Sequence, residues 1–131
     1  MGMTRVPVSL RVPSSSGTAY TAEFVVDTGA IDSVAPASAL HRAGIRPIGT
    51  MTYELADGSR HDYEIGLVQI ELLGETTAGR VVFGAEDVEP ILGVTALESI
   101  GVVVDPVKKE LRRLPALPLR RVATAAATLT A

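Results

Sequence analysis

Cysteine is absent from this 131-residue chain, and so is tryptophan. The missing thiols exclude disulfides, thiolate nucleophiles and zinc–thiolate sites together, and fit a reducing compartment. Aromatics make up 4% of the residues while apolar residues of all kinds make up 47%, so a core has to be assembled from Val, Leu, Ile and Ala. No apolar run reaches the length that spans a bilayer, and the opening MGMTRVPVSL lacks the apolar stretch of a signal peptide. A myristoylation signal fails at Val6, where Ser or Thr is required. Basic charge is short as well. Twelve Lys and Arg against 15 Asp and Glu give a formal net charge of -3, which offers no footprint for a phosphate backbone or an anionic membrane. These absences predict a cytoplasmic protein with neither nucleic acid nor membrane as partner.

What is present reads as one domain, large enough to bury roughly two thirds of its unfolded surface. Positions 4 to 12 alternate, with Val6, Val8, Leu10 and Val12 on one side and Arg5, Ser9 and Arg11 on the other, the period of a strand with one wet face. After the turn at Pro13 to Gly17, a second alternation through Tyr20, Ala22, Phe24 and Val26 ends at Asp27. The two strands predict a hairpin that delivers Asp27 at its far end. Pro36 to Gly44 has the proline, alanines and terminal glycine of a short helix. Strands are expected at Thr52 to Leu55 and His61 to Ile65 around the Asp57-Gly58 turn, then at Leu67 to Leu72 and Gly79 to Gly84, joined through Gly74-Glu75. Ile91 and Leu92 form a short apolar strand before Gly93 and a second small helix; Val102 to Val104 opens a last hairpin around Asp105-Pro106. The sum is an all-β chain with two short helices, a composition that favours a closed or nearly closed barrel. The domain is expected over 1–114, and 115–131 as a mobile C-terminal tail.

Asp27 is the residue that asks for an explanation. An aspartate at the end of a buried strand loses solvation, so its charged form needs donors around it. Gly29, without a Cβ, lets backbone amides approach the carboxylate, and the Thr28 hydroxyl can bond to a neighbouring segment. Such an arrangement suits a carboxylate that orients water. Hydrolysis of an amide needs a base for the water's proton and an acid for the carbonyl oxygen, and two carboxylates sharing one proton can supply both. The chain holds one Asp-Thr-Gly, so a second copy must come from another molecule across a two-fold axis.

VVDTGA at 25–30, ADGS at 56–59 and ILGVTALESIGVVVDP at 91–106 together resemble a single-lobe, retropepsin-like aspartic protease, of the type found as free-standing bacterial proteins. The likeness covers roughly residues 4–114. It implies a homodimer of closed, mostly antiparallel β-barrels, one lobe per chain, with Asp27 as half of a shared catalytic dyad and a water as nucleophile. No metal or cofactor is implied. Thr28, Gly29 and Ala30 would complete the active-site loop; Thr28 would lock the two loops reciprocally and Gly29 would contact the substrate backbone. The hairpin from about Tyr53 to Glu64, with Ala56, Asp57, Gly58 and Ser59 at its tip, would be a flap over an extended peptide substrate lying as an added strand. Ile91, Leu92 and Gly93 would support the dyad loop from beneath.

The chain also departs from the retroviral pattern. Ile31 stands before Asp32 where those members usually place an acid that holds substrate backbone. Val94 replaces an Arg common after the second glycine, which takes an internal ion pair with it. Gly58 is the single glycine at the hairpin tip.

Plainer readings account for the remaining features. His41 and His61 have no ligand set around them and read as surface residues. Lys108-Lys109, Arg112-Arg113 and Arg120-Arg121 read as a solvated face or tail. Ser14 to Ser16 have no paired base. The competing function is the same barrel kept as a catalytically silent module for dimerisation or peptide binding. In a third reading the barrel is monomeric and Asp27 caps a turn.

Overall fold

A computed structural model describes residues 4–119. The Arg120-Arg121 pair and the expected tail from 120 onward lie outside the described residues. Alternation decides the first strand, β1 (Arg5–Arg11): Val6, Val8 and Leu10 are buried while Arg5 and Pro7 are exposed. It pairs antiparallel with β2 (Tyr20–Asp27), Leu10 opposite Tyr20 and Arg5 opposite Val25, so Asp27 emerges beyond the end of the hairpin.

Four further strands close the sheet on itself. They are β3 (Ser33–Pro36), β5 (Arg60–Leu72), β6 (Glu75–Gly84) and β7 (Ile91–Gly93). The order runs β1-β2-β7-β3-β6-β5, and β5 returns to pair with β1, Val8 opposite Leu72. The result is the closed, mostly β barrel with two short helices that the sequence predicts. Two seams, β2 with β7 and β3 with β6, run parallel, because each partner is reached by a crossover too long to be a hairpin. β4 (Gly49–Glu54) pairs with β5 alone and stands outside the ring.

The structure redraws some boundaries. The strands expected at 61–65 and 67–72 are one, continuous through Gly66. A Cβ there would lie 2.9 Å from the Arg46 carbonyl oxygen and 3.1 Å from the Phe83 ring, so the glycine marks close packing rather than a break. β6 begins at Glu75 rather than Gly79, directly after the tight turn at Leu73-Gly74. The short β3 has no counterpart among the expected strands.

Helix α1 (Ala37–Arg42) follows β3, buries Ala39 and Leu40, and carries His41 and Arg42 in its last turn, whose Ala39, Leu40 and His41 carbonyls accept from the Ala43, Gly44 and Ile45 amides. Helix α2 (Val94–Ser99) starts directly after Gly93 and buries Ala96 and Leu97. The last hairpin joins β8 (Val102–Val104) to β9 (Leu111–Arg113); in its turn the Val107 and Lys108 amides donate to the Asp105 carboxylate at 2.9 and 3.0 Å. Among the largest fully buried side chains only Phe24 is aromatic; Leu10, Leu40, Ile70, Leu92 and Leu97 carry the interior. Each such aliphatic side chain contributes about 1.5–3 kcal/mol by leaving water. No described helix is long and apolar enough to cross a membrane.

Candidate active site

Asp27 ends β2 opposite Gly93, the last pair of the parallel seam that also sets Val25 against Ile91 and Val26 against Leu92. The chain then turns: the Ala30 amide donates to the Asp27 carbonyl at 3.1 Å, and the Gly29 amide donates to Asp27 Oδ1 at 2.9 Å. The carboxylate is half-buried. Its Oδ2 accepts no bond from the described residues. Thr28 and Gly29 are exposed beside it, Ala30 is half-buried, and Ile31 is 65% exposed.

The β7–α2 corner holds this loop from the inner side. A Cβ on Gly93 would collide with the Ile31 carbonyl and lie 2.6 Å from the Asp32 carbonyl carbon. The Val94 amide donates to the Ala30 carbonyl at 2.8 Å, and the Gly93 amide donates to the buried Ser33 hydroxyl at 3.1 Å. Ile91, Leu92 and Gly93 therefore lie against the Asp27 loop, brought there across more than sixty residues by a parallel seam. Ser33, whose hydroxyl closes the junction, is absent from the residues the sequence singles out. A buried serine at the start of a four-residue strand leaves no periodic signal.

The Asp57-Gly58 tip stands apart from this cluster. Gly58 takes φ +84°, a left-handed turn that favours glycine. The Leu55 amide donates to the Ser59 carbonyl at 2.8 Å and the Gly58 amide to the Leu55 carbonyl at 2.9 Å. Ser59 donates through its amide and hydroxyl to Asp57 Oδ1, at 2.9 and 2.5 Å, and those two bonds hold the Asp57 carboxyl below the usual carboxylate range. Ala56, Asp57 and Gly58 are exposed, and no described bond ties the tip to Asp27. His61 meets the Ser59 hydroxyl at 3.1 Å, while His41 lies 5.2 Å from the Phe83 ring.

The same hairpin does reach the Asp27 loop from β4, where Tyr53 lies opposite His61 shortly before the turn, through a residue the sequence marked only as a departure. The Tyr53 hydroxyl donates to Asp32 Oδ2 at 2.7 Å, and Arg80 Nε on β6 lies 3.2 Å from the same oxygen. The Asp32 side chain is 7% exposed. Burial, the bond to Asp32 and that carboxylate's charge push the Tyr53 phenol up to about 12, against a smaller opposing pull from Arg80. Val94 supplies no ion pair beside the loop; Arg80 supplies one from the opposite strand. Asp32 is thereby engaged inside the fold, and Ile31 takes the exposed position next to Asp27.

Comparison with known proteins gives two findings. A family model described as aspartyl protease matches residues 8–96. In structure the chain is similar to the Simian Foamy Virus (mac) protease, determined in solution, with 18% sequence identity, 66% of this chain and 86% of that one covered, and a TM-score of 0.44. No curated protein matches it in sequence.

Proposed function

Because the chain belongs to the aspartyl protease family, we propose that it is an endopeptidase acting as a homodimer, in which the Asp27 carboxylates of two subunits share one proton and activate water between them. The observation that carries this reading is Asp27 itself: a half-buried carboxylate in an Asp-Thr-Gly loop, one oxygen fixed by the Gly29 amide and the other accepting no bond from the described residues. One such group can take a proton from water or give one to a carbonyl oxygen, but not both in one step. Two in contact cannot both ionise readily, so at mildly acidic pH the pair holds a single proton and offers base and acid together. The ionised member removes the water's proton as oxygen attacks the peptide carbon; the protonated member gives its proton to the carbonyl oxygen. Collapse of the tetrahedral diol returns a proton to the dyad and delivers one to the leaving amine.

The surface beside Asp27 supports a two-fold partner. Thr28, Gly29 and Ile31 follow Asp27 in the chain and are exposed, a stretch that a second subunit would cover. The β4–β5 hairpin would act as the flap, Ala56 to Ser59 at its tip, closing over an extended peptide that adds to the cleft as a strand. Gly93 would keep the Asp27 loop in one geometry through the reaction.

Asp27→Asn tests the proposal. An amide cannot serve as base, and loss of general acid–base catalysis costs about 10²- to 10⁴-fold in rate. Purified wild type should cleave a library of extended peptides with an optimum on the acid side of neutrality. The variant, shown by sedimentation to be equally dimeric, should not; equal cleavage by both would remove Asp27 from the chemistry.

A further inference from the structure

The β4–β5 hairpin is anchored to the barrel along β5 only, since β4 pairs with no other strand. Two β4 side chains leave the hairpin. Tyr53 donates to Asp32, and Met51 Sδ meets the guanidinium of Arg80, which itself pairs with Asp32. The Asp32 side chain is 7% exposed, and the Tyr53 hydroxyl and Arg80 guanidinium are the partners that satisfy it inside the fold; removing one leaves a buried acceptor with fewer donors, which costs free energy. At its other end Asp32 belongs to the loop that the Gly93 corner clamps through Ala30 and Ile31. Displacement of Tyr53 must therefore break this bond or drag the segment that begins at Asp27.

We infer that the Tyr53 hydroxyl and the Asp32 carboxylate form a latch that couples the hairpin's position to the geometry of the Asp27 loop, with Arg80 holding the acceptor in place. Tyr53 is then a positioning residue, and its part in catalysis rests on the protease reading above. The latch acts on β4 near the tip of the hairpin, where Tyr53 lies opposite His61, one pair before Glu54 and Arg60 close the strands, so it restrains the arm directly behind the Asp57-Gly58 turn. Tyr53→Phe subtracts one oxygen from a half-buried ring that still packs at 6.1 Å from Tyr63, so the variant retains the fold.

Two measurements on the full chain decide the matter. In hydrogen exchange, the variant should lose protection about tenfold, the scale of a bond to a charged acceptor, in residues 49–54 and, together with them, at the Gly29 and Ala30 amides, while β1 and β6 stay unchanged. Loosening confined to 49–54, or no loosening, overturns the coupling. In peptide cleavage, KM should rise about tenfold with kcat within about twofold; an unchanged KM overturns the positioning role. If the wild type cleaves no peptide, the protease reading falls while the exchange result still judges the latch.

Discussion

Gly93 lies so close beneath the Asp27 loop that one added methyl would come within 2.6 Å of the carbonyl carbon of Asp32. The obstruction is backbone, which cannot swing aside as a side-chain tip would. Gly93→Ala should therefore destabilise the chain by about 1–3 kcal/mol or more, the usual result of overpacking. Urea titration reads this as a lower midpoint, and a midpoint equal to wild type would show that the loop has slack.

Ser33 is 2% exposed, and its hydroxyl receives the Gly93 amide at 3.1 Å. Ser33→Ala leaves that amide without an acceptor in the interior, at a cost of about 1–3 kcal/mol. Thermal unfolding of the variant should show a clear fall in Tm, whereas Ser33→Thr, which keeps the hydroxyl, should recover part of it.

Two glycines in or beside the hairpin should respond in opposite ways. At Gly66 a Cβ meets the Arg46 carbonyl at 2.9 Å, while at Gly49 nothing lies within 4 Å and φ is not positive. Gly66→Ala should cost about 1–3 kcal/mol. Gly49→Ala should be neutral or stabilise by about 0.4–1 kcal/mol, through the smaller freedom of its unfolded chain. Equal midpoints for the two variants would contradict the packing described around β5.

The Tyr53 phenol, raised from 10.0 to about 12, links stability to alkaline pH. A group whose folded pKa lies above its unfolded one contributes fully below the unfolded value and loses that contribution as pH climbs through the folded one. Stability should thus fall between about pH 10 and 12 from this source. Of the three tyrosines, Tyr20 is also raised, by burial and against a pull from Arg42, but Tyr53, raised to about 12, should form its phenolate last in an ultraviolet titration. Tyr53→Phe should remove that late step and flatten the matching part of the stability curve; survival of the step would assign it elsewhere.

Features set by neighbours along the chain were legible from sequence. Two-residue alternation through Val6, Val8 and Leu10 gave β1, and Asp57-Gly58 and Gly74 gave their turns. The Asp-Thr-Gly at 27–29 and the glycine at 93 were visible as a pair through the family resemblance, since no local pattern joins two segments more than sixty residues apart. Other features were hidden because their causes are remote. β3 is four residues long and ends on Pro36, so it shows no period, and it exists because β6 and β7 flank it. Gly66 reads as a break until Arg46 and Phe83 are seen to crowd it. Asp32 could be noticed only as displaced by Ile31; its partners Tyr53 and Arg80 arrive from two other strands, and nothing near position 32 announces them.

The placement of β7 between β2 and β3 has a consequence for synthesis. A ribosome that has released residue 36 has made both neighbours of that seam, yet the piece that separates them emerges only at residues 91–93. Until then the nascent chain can zip its hairpins but has nothing to close the ring, and such distant pairings are slow to form. Folding to the native ring therefore waits for residues 91–93 to emerge, and a chain truncated at residue 90 has no route to it.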